Sequence, residues 1–314
     1  MIESLEYSKV EHPFIEQLRA LGWGYLEGDT GVPYLTERED FRQVLLAGRL
    51  RQALAHINLG EDGQPWLDEA RINQAVGRLE RLGEHRLIEA NQAATGLLLK
   101  GTQVEGPDGK QVTVRFIDFD HPERNDWLAI NQFRVDPPWA TGGRDYVVPD
   151  VVLFVNGIPL AVVECKHPDQ EEPLTEAITQ LLRYSNQREG VEEPEGAERL
   201  FHYAQVLVAT CFETARVGTV GASYEHYLEW KDTYPLPMAQ VAEELGVERL
   251  AGLYFHWRVA MLPHRMVEYV VAHELVHLVE RTHNEGFWER LERIIPDYAE
   301  RQRWLREHGG MYDL

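Results

Sequence analysis

Cysteine is scarce in this chain of 314 residues: there are two, Cys165 and Cys211. Two cysteines cannot build a disulfide framework, and they fit a reducing cytoplasm. Long hydrophobic runs are also missing. No apolar stretch approaches the ~20 residues needed to cross a bilayer, so no membrane partner is expected. The first residues, M-I-E-S-L-E-Y-S-K, are acidic and carry no apolar core, so no signal peptide is read there. Positive charge is in deficit, with 31 Lys and Arg against 52 Asp and Glu and a net charge of −21. Residues 251–314 hold 8 basic and 10 acidic side chains, a net of −2, which leaves −19 on the first 250 residues. Such a balance argues against a chain that holds DNA alone, because neutralisation of phosphates by Lys and Arg supplies most non-specific affinity. No G-x-x-x-x-G-K-[ST] occurs, so ATP binding is not implied. No internal repeat is present.

The stretch 148–167, V-P-D-V-V-L-F-V-N-G-I-P-L-A-V-V-E-C-K-H, organises the chain. Two apolar, β-branched runs flank Asn156-Gly157, the strongest short-range hairpin signal. Asp150, Glu164 and Lys166 interrupt it, and burying charge is costly unless it is paired or binds metal. Glu164 and Lys166 share one face of their strand while Cys165 points the other way. Asp150 joins them only if the loop has an odd number of residues. The sequence therefore predicts a three-residue turn, with Gly157 or its neighbour at positive φ.

Two carboxylates on one face suit Mg²⁺, which takes one or two of them and keeps several waters. The ion polarises a phosphate and acidifies a bound water, and Lys166 can orient that water or neutralise developing charge. This is the chemistry of phosphodiester hydrolysis. The competing reading is a buried hairpin whose frayed end carries a surface ion pair. Glu176–Gln187 reads as a helix, with Gln180 and Tyr184 four apart on one face. Their polar tips suit a phosphate or the lysine. Phe14–Leu21 reads as a short helix after Pro13, and Glu11 or Glu16 could present a further carboxylate to this site; the alternative for each is a solvated helix face.

P-D-x(13)-E-x-K followed by Q-x-x-x-Y resembles the PD-(D/E)xK nuclease superfamily. More narrowly, the stretch from Pro149 to Lys166 resembles the N-terminal nuclease domain of the restriction (HsdR) subunit of type I restriction–modification enzymes. The likeness extends over Asp118–Val135 and Leu200–Trp230 and covers residues 1–249. Val148 departs from it, standing where that family usually has Arg. The resemblance implies a mixed α/β sheet flanked by helices. It also implies a Mg²⁺-dependent endonuclease with Asp150, Glu164, Lys166, Gln180 and Tyr184 in its site. DNA would be the substrate, and methyltransferase and specificity subunits the partners.

Elsewhere, Thr36–Ile57 reads as an amphipathic helix capped by Thr36, with apolar residues at 41, 44, 45, 50, 54 and 57. Helices are also expected over Asp68–Leu82, Glu84–Leu99, Tyr224–Trp230 and Pro237–Leu245. Strands are expected over Gln111–Asp118, Ala129–Val135 and Tyr203–Ala209, with a turn at Gly106–Gly109.

Near Leu250 a second signal begins. Val267–Val279 is an apolar helix containing His273-Glu274-Leu-Val-His277. In H-E-x-x-H the two imidazoles lie one turn apart, suiting Zn²⁺, with Glu274 as general base on a bound water. His283 is the natural third ligand. The alternative is a chance H-E-x-x-H on a surface helix. The segment from Phe255, including Phe287-Trp288, resembles the end of the YgjP-like, SprT-related zinc metallopeptidases. That likeness also implies His273, His277 and His283 as ligands and Glu274 as base. It makes 251–314 a small, mainly helical metallopeptidase-like domain, without the β region that precedes it in that family. Three functions therefore compete. The first is a DNA endonuclease fused to a zinc segment. The second is a zinc metallopeptidase using the front half as a docking module. The third is an inactive fusion remnant that binds only metal or partner subunits.

Overall fold

The computed structural model describes residues 6–60, 63–140, 145–212, 214–229 and 285–308. These fall into two compact units, one holding 6–117 and 123–229, the other 118–122 and 285–308.

The first unit is built on a mixed sheet of seven strands. In sheet order these are β1 (Gly24–Leu26), β4 (Trp127–Asn131), β5 (Val151–Val155), β6 (Ile158–Cys165), β7 (Val206–Thr210), β8 (Ala215–Gly218) and β9 (Leu228–Glu229). β1 runs parallel to β4 and β6 runs parallel to β7, and the other pairs are antiparallel. β2 (Thr102–Glu105) and β3 (Gln111–Val114) form a separate hairpin. It closes through the Gly106–Gly109 turn, with Gly109 at φ 78°. β5 is buried along its whole length and β6 along most of it, which is why both read as nearly continuous apolar runs.

Helices cover this sheet. α1 (His12–Ala20) carries Pro13 in its first turn and follows a π-helical turn, Tyr7–Glu11. α2 (Ala47–Ile57) buries Leu50, Leu54 and Ile57 on one stripe. α3 (Glu69–Glu80) starts where Asp68 accepts a hydrogen bond from the Arg71 amide, 2.9 Å. α4 (Leu87–Lys100) ends at Gly101. α5 (Pro173–Tyr184) crosses between β6 and β7 and packs on both. α6 (Glu198–Phe201) is a single turn. The second unit contains α7 (Glu285–Ile294) and α8 (Tyr298–His308). The Trp288 and Tyr298 rings stack at 5.5 Å, and Phe287, Leu291 and Ile295 are buried.

The helix expected over Thr36–Ile57 is confined to Ala47–Ile57, preceded by a 3₁₀ turn at Pro33–Thr36. Glu37 adopts φ 58° and breaks the run. Arg38 then buries its guanidinium among the Thr36 hydroxyl and the carbonyls of Gln43 and Arg134. Val44 and Leu46 are buried in an irregular connection, and Leu46 continues the i, i+4 spacing of Leu50 and Leu54 in α2, so the apolar pattern runs on past the start of the helix. Tyr224–Trp230 is likewise not a helix. It is a 3₁₀ turn, Tyr224–His226, leading into β9. The expected helices Pro237–Leu245 and Val267–Val279 lie outside the described residues. Among the described residues, no helix is long and apolar enough to cross a membrane.

Candidate active site

The turn between β5 and β6 has two residues, not three. Val155 pairs with Ile158, and Asn156 and Gly157 take φ 53° and 76°, the left-handed pair of a type I′ turn. Gly157 is further constrained: a Cβ there would sit 2.6 Å from the Leu46 carbonyl, and its own carbonyl accepts from the Leu46 amide at 2.9 Å. The buried Asn156 side chain donates to the Phe116 carbonyl and accepts from the Asp126 amide, both at 2.8 Å. The additional residue that parity demands sits inside β6. Phe154 pairs with Pro159 and Leu153 with Ala161, so Leu160 forms a β-bulge. Beyond it Val151 faces Val163, and continuation of that register sets Asp150 opposite Glu164.

The consequence is a buried charged cluster. Asp150, Glu164 and Lys166 are all buried, Glu164 completely. Lys166 Nζ donates to Glu164 Oε1 at 2.8 Å and to the Cys165 carbonyl at 3.0 Å. The Cys165 amide donates to Asp150 Oδ2 at 2.7 Å. Glu164 Oε2 has no hydrogen-bond partner. Burial raises the Asp150 pKa to about 6, against the pull of Lys166. Glu164 rises well above its usual range because of burial and the facing Asp150. Burial alone would depress Lys166, but Glu164 and Asp150 outweigh it, so the ammonium stays charged. Burial and Asp150 also push the Cys165 thiol up.

A third carboxyl group joins from the π-helical turn. Glu11 accepts from Asn131 Nδ2 at 2.8 Å and Gln132 Nε2 at 3.2 Å. Burial lifts its pKa to about 7, and Asp150 adds to the rise. Asn131 is held by the Tyr25 hydroxyl and the Gly28 amide, at 3.0 and 3.1 Å. Sequence reasoning could name Glu11 as a possibility and nothing more, because its approach depends on β4. A π turn next to a charged cluster is a frequent mark of function. Glu16, by contrast, is half exposed and pairs with Arg19 at 2.8 Å.

Gln180 and Tyr184 share a face of α5 as their spacing predicts. Gln180 Nε2 lies 2.6 Å from the Tyr184 hydroxyl, which donates to the Val148 carbonyl at 3.1 Å. They brace the strand leading to Asp150. Burial and the nearby Glu164 raise Tyr184 to about 12.

Among the described residues no three His, Cys, Asp or Glu side chains gather closely enough to hold a metal by themselves. The cluster nevertheless fits a divalent cation bound through few protein oxygens. It offers an orphaned carboxylate oxygen, two facing carboxyl groups and a carbonyl already turned towards a cation. His273, Glu274, His277 and His283 lie outside the described residues.

The mixed sheet flanked by helices, with its acidic pair and lysine on the central hairpin, is an α/β fold of the nuclease-like kind. Comparison with known proteins narrows the class: residues 3–226 match the family model of the type I restriction enzyme R protein N terminus, and the chain belongs to that family. Residues 248–308 match the YgjP-like metallopeptidase domain. Relatives include the type I restriction enzyme HindI endonuclease subunit of Haemophilus influenzae, 31% identical over 232 residues, 72% of this chain and 20% of that protein. Another is the putative type I restriction enzyme MjaIXP endonuclease subunit of Methanocaldococcus jannaschii, 26% identical over 225 residues, 71% of this chain and 20% of that protein. The chain spans about a fifth of the length of these relatives.

Proposed function

We propose that the first unit is a Mg²⁺-dependent DNA endonuclease domain acting at Asp150, Glu164 and Lys166. The observation that carries this reading is the unpartnered Oε2 of fully buried Glu164, facing Asp150 and beside a charged lysine. Three carboxyl groups and one ammonium leave an excess of negative charge when ionised, which burial makes expensive. A divalent cation removes that excess. Asp150, Glu164 and the Cys165 carbonyl would hold it, and its chemistry when bound is to polarise a phosphate and acidify water. Lys166 holds a fixed positive charge where a phosphate would gain negative charge, and its remaining N–H can donate a hydrogen bond that orients water. Tyr184 and Gln180 fix the backbone from Val148 that delivers Asp150.

The acidic first 250 residues favour DNA being held partly by other chains, so the methyltransferase and specificity subunits of a type I complex are the proposed partners. The test is nicking of supercoiled plasmid in Mg²⁺ or Mn²⁺, with and without such subunits. Asp150→Ala and Lys166→Ala should each abolish it, and an Asp150→Ala protein that cuts at the wild-type rate sinks the assignment.

The match of residues 248–308 to a metallopeptidase domain favours a second, separate activity. We propose that His273, His277 and His283 bind Zn²⁺, with Glu274 as the base.

A further inference from the structure

We propose that the exposed ring of Tyr146 is a stacking platform for a base of an unpaired DNA strand, next to the site that cuts it. This deepens the nuclease reading and rests on it for the identity of the ligand.

Six side chains form an alternating column of rings and guanidinium groups. The Phe154 and Phe133 rings meet edge to face at 5.1 Å. The Arg38 guanidinium lies 3.7 Å from the Phe133 centroid and 5.5 Å from that of Phe41. Arg134 lies 4.4 Å from Phe41 and 4.1 Å from Tyr146. The column starts at fully buried Phe154 in β5 and ends at Tyr146, which is 36% exposed. Trp139, 43% exposed, is a second surface aromatic on the same connection between β4 and β5.

The final cation is locked in orientation. Arg134 Nε and one terminal nitrogen donate to the two oxygens of Asp136 at 2.7 and 2.9 Å, and the other terminal nitrogen donates to the Thr30 carbonyl at 2.6 Å. Three of its five N–H donors are therefore occupied and its charge is matched by Asp136. What it offers Tyr146 is a flat, fixed support on one face. A partly exposed aromatic ring backed by a fixed cation is an element on which unpaired bases stack.

Position favours the substrate strand as occupant. Tyr146 lies four residues before Asp150. Val147 pairs with Val135 through two backbone hydrogen bonds of 2.8 and 3.0 Å, and the Gln132 amide donates to the Asp150 carbonyl at 2.9 Å. The segment is thus extended and spans about 13 Å at ~3.3 Å per residue. That is roughly four rises of a stacked strand at ~3.4 Å each. A base on Tyr146 would hold its strand a few nucleotides from the cluster. A net charge of −21 leaves this chain little attraction for phosphates, so the ring would supply much of whatever affinity it has for an unpaired strand.

The test uses the full chain and a short single-stranded oligonucleotide containing 2-aminopurine, in buffer without divalent cation so that no strand is cut. Wild type should quench the probe, and Tyr146→Phe should quench it equally. Tyr146→Leu, which keeps apolar bulk but loses the ring, should bind from several-fold to about a hundredfold more weakly and lose the quench. Affinity should fall far less between about 50 and 200 mM salt than the thousandfold or more of a site built on six or more phosphate contacts. An unquenched wild type, or a Tyr146→Leu protein that quenches like wild type, overturns the proposal. Quenching by a protein that never cuts DNA supports the platform and removes only the nuclease reading.

Discussion

Lys166 sets its ammonium 2.8 Å from Glu164 Oε1 and leaves Glu164 Oε2 without a partner in a fully buried position. Lys166 offsets the charge on one side of that carboxyl group, while burial and the facing Asp150 raise its pKa well above the usual range. Removing one member of a buried pair is far more harmful than removing both, because it strands a charge. Lys166→Met should therefore destabilise the protein by about 3–5 kcal/mol at pH 8, and adding Glu164→Gln should recover most of the loss. Denaturant melts of the two single variants and the double variant measure the coupling. An additive result would mean that the pair is already relaxed by solvent.

The same cluster fixes how stability responds to pH. Glu11 rises from 4.5 to about 7 and Asp150 from 3.8 to about 6 on folding. A carboxyl group with a raised folded pKa holds more protons in the folded state, so stability falls as pH rises. Their contribution is complete below about pH 4 and lost as pH passes 6 to 7. For Glu11 alone the loss amounts to about 3 kcal/mol. Thermal melts without metal should show a lower Tm at pH 8 than at pH 5, and Glu11→Gln should flatten the difference. Mg²⁺ should raise Tm more at pH 8 than at pH 5, since it binds the ionised carboxylates. A metal response independent of pH would contradict this assignment.

Gly157 is committed twice, by φ 76° and by its approach to the Leu46 carbonyl. Gly157→Ala should cost about 2 kcal/mol or more, because a left-handed residue with a Cβ is strained and the neighbour is backbone. Asn156→Ala should be comparably harmful, since it orphans the buried Phe116 carbonyl and Asp126 amide. Urea denaturation gives both values, and a neutral Gly157→Ala would mean that the turn relaxes away from α2.

Zinc can be assigned independently of the nuclease. The purified chain should carry about one Zn²⁺, as three histidines and a water position imply. His273→Ala should lose most of it, whereas Glu274→Gln should retain it and lose any peptidase activity. Elemental analysis of both variants decides the matter, and a zinc-free Glu274→Gln protein would make Glu274 a ligand instead of a base. Chelation should lower the melting temperature, because metal bound only to the folded state stabilises it by mass action.

The central hairpin was legible from residues alone, because Asn156-Gly157 between β-branched runs has few alternatives and β5 and β6 are buried on both sides. Alternation also fixed Glu164 and Lys166 on one face. Where the extra residue would fall was not legible. A turn and a bulge satisfy the same parity, and the choice of Leu160 over the loop rests on pairing with β5 and on α2 closing over Gly157. The spacing of Gln180 and Tyr184 was readable as a shared helical face, but their engagement with the Val148 carbonyl depends on where α5 packs. The Arg38 connection was misread as helix, because burial at 44 and 46 imposes an apolar pattern whatever the backbone does. Glu11 marks the limit most clearly. It lies about 140 residues from Asp150, and a single chain carries no local signal for a contact made through Asn131 and Gln132. Local chemistry determined the strands, the turn residues and the charges. Only tertiary structure decided which charges share one buried cluster, and that burial is what shifts their pKa values.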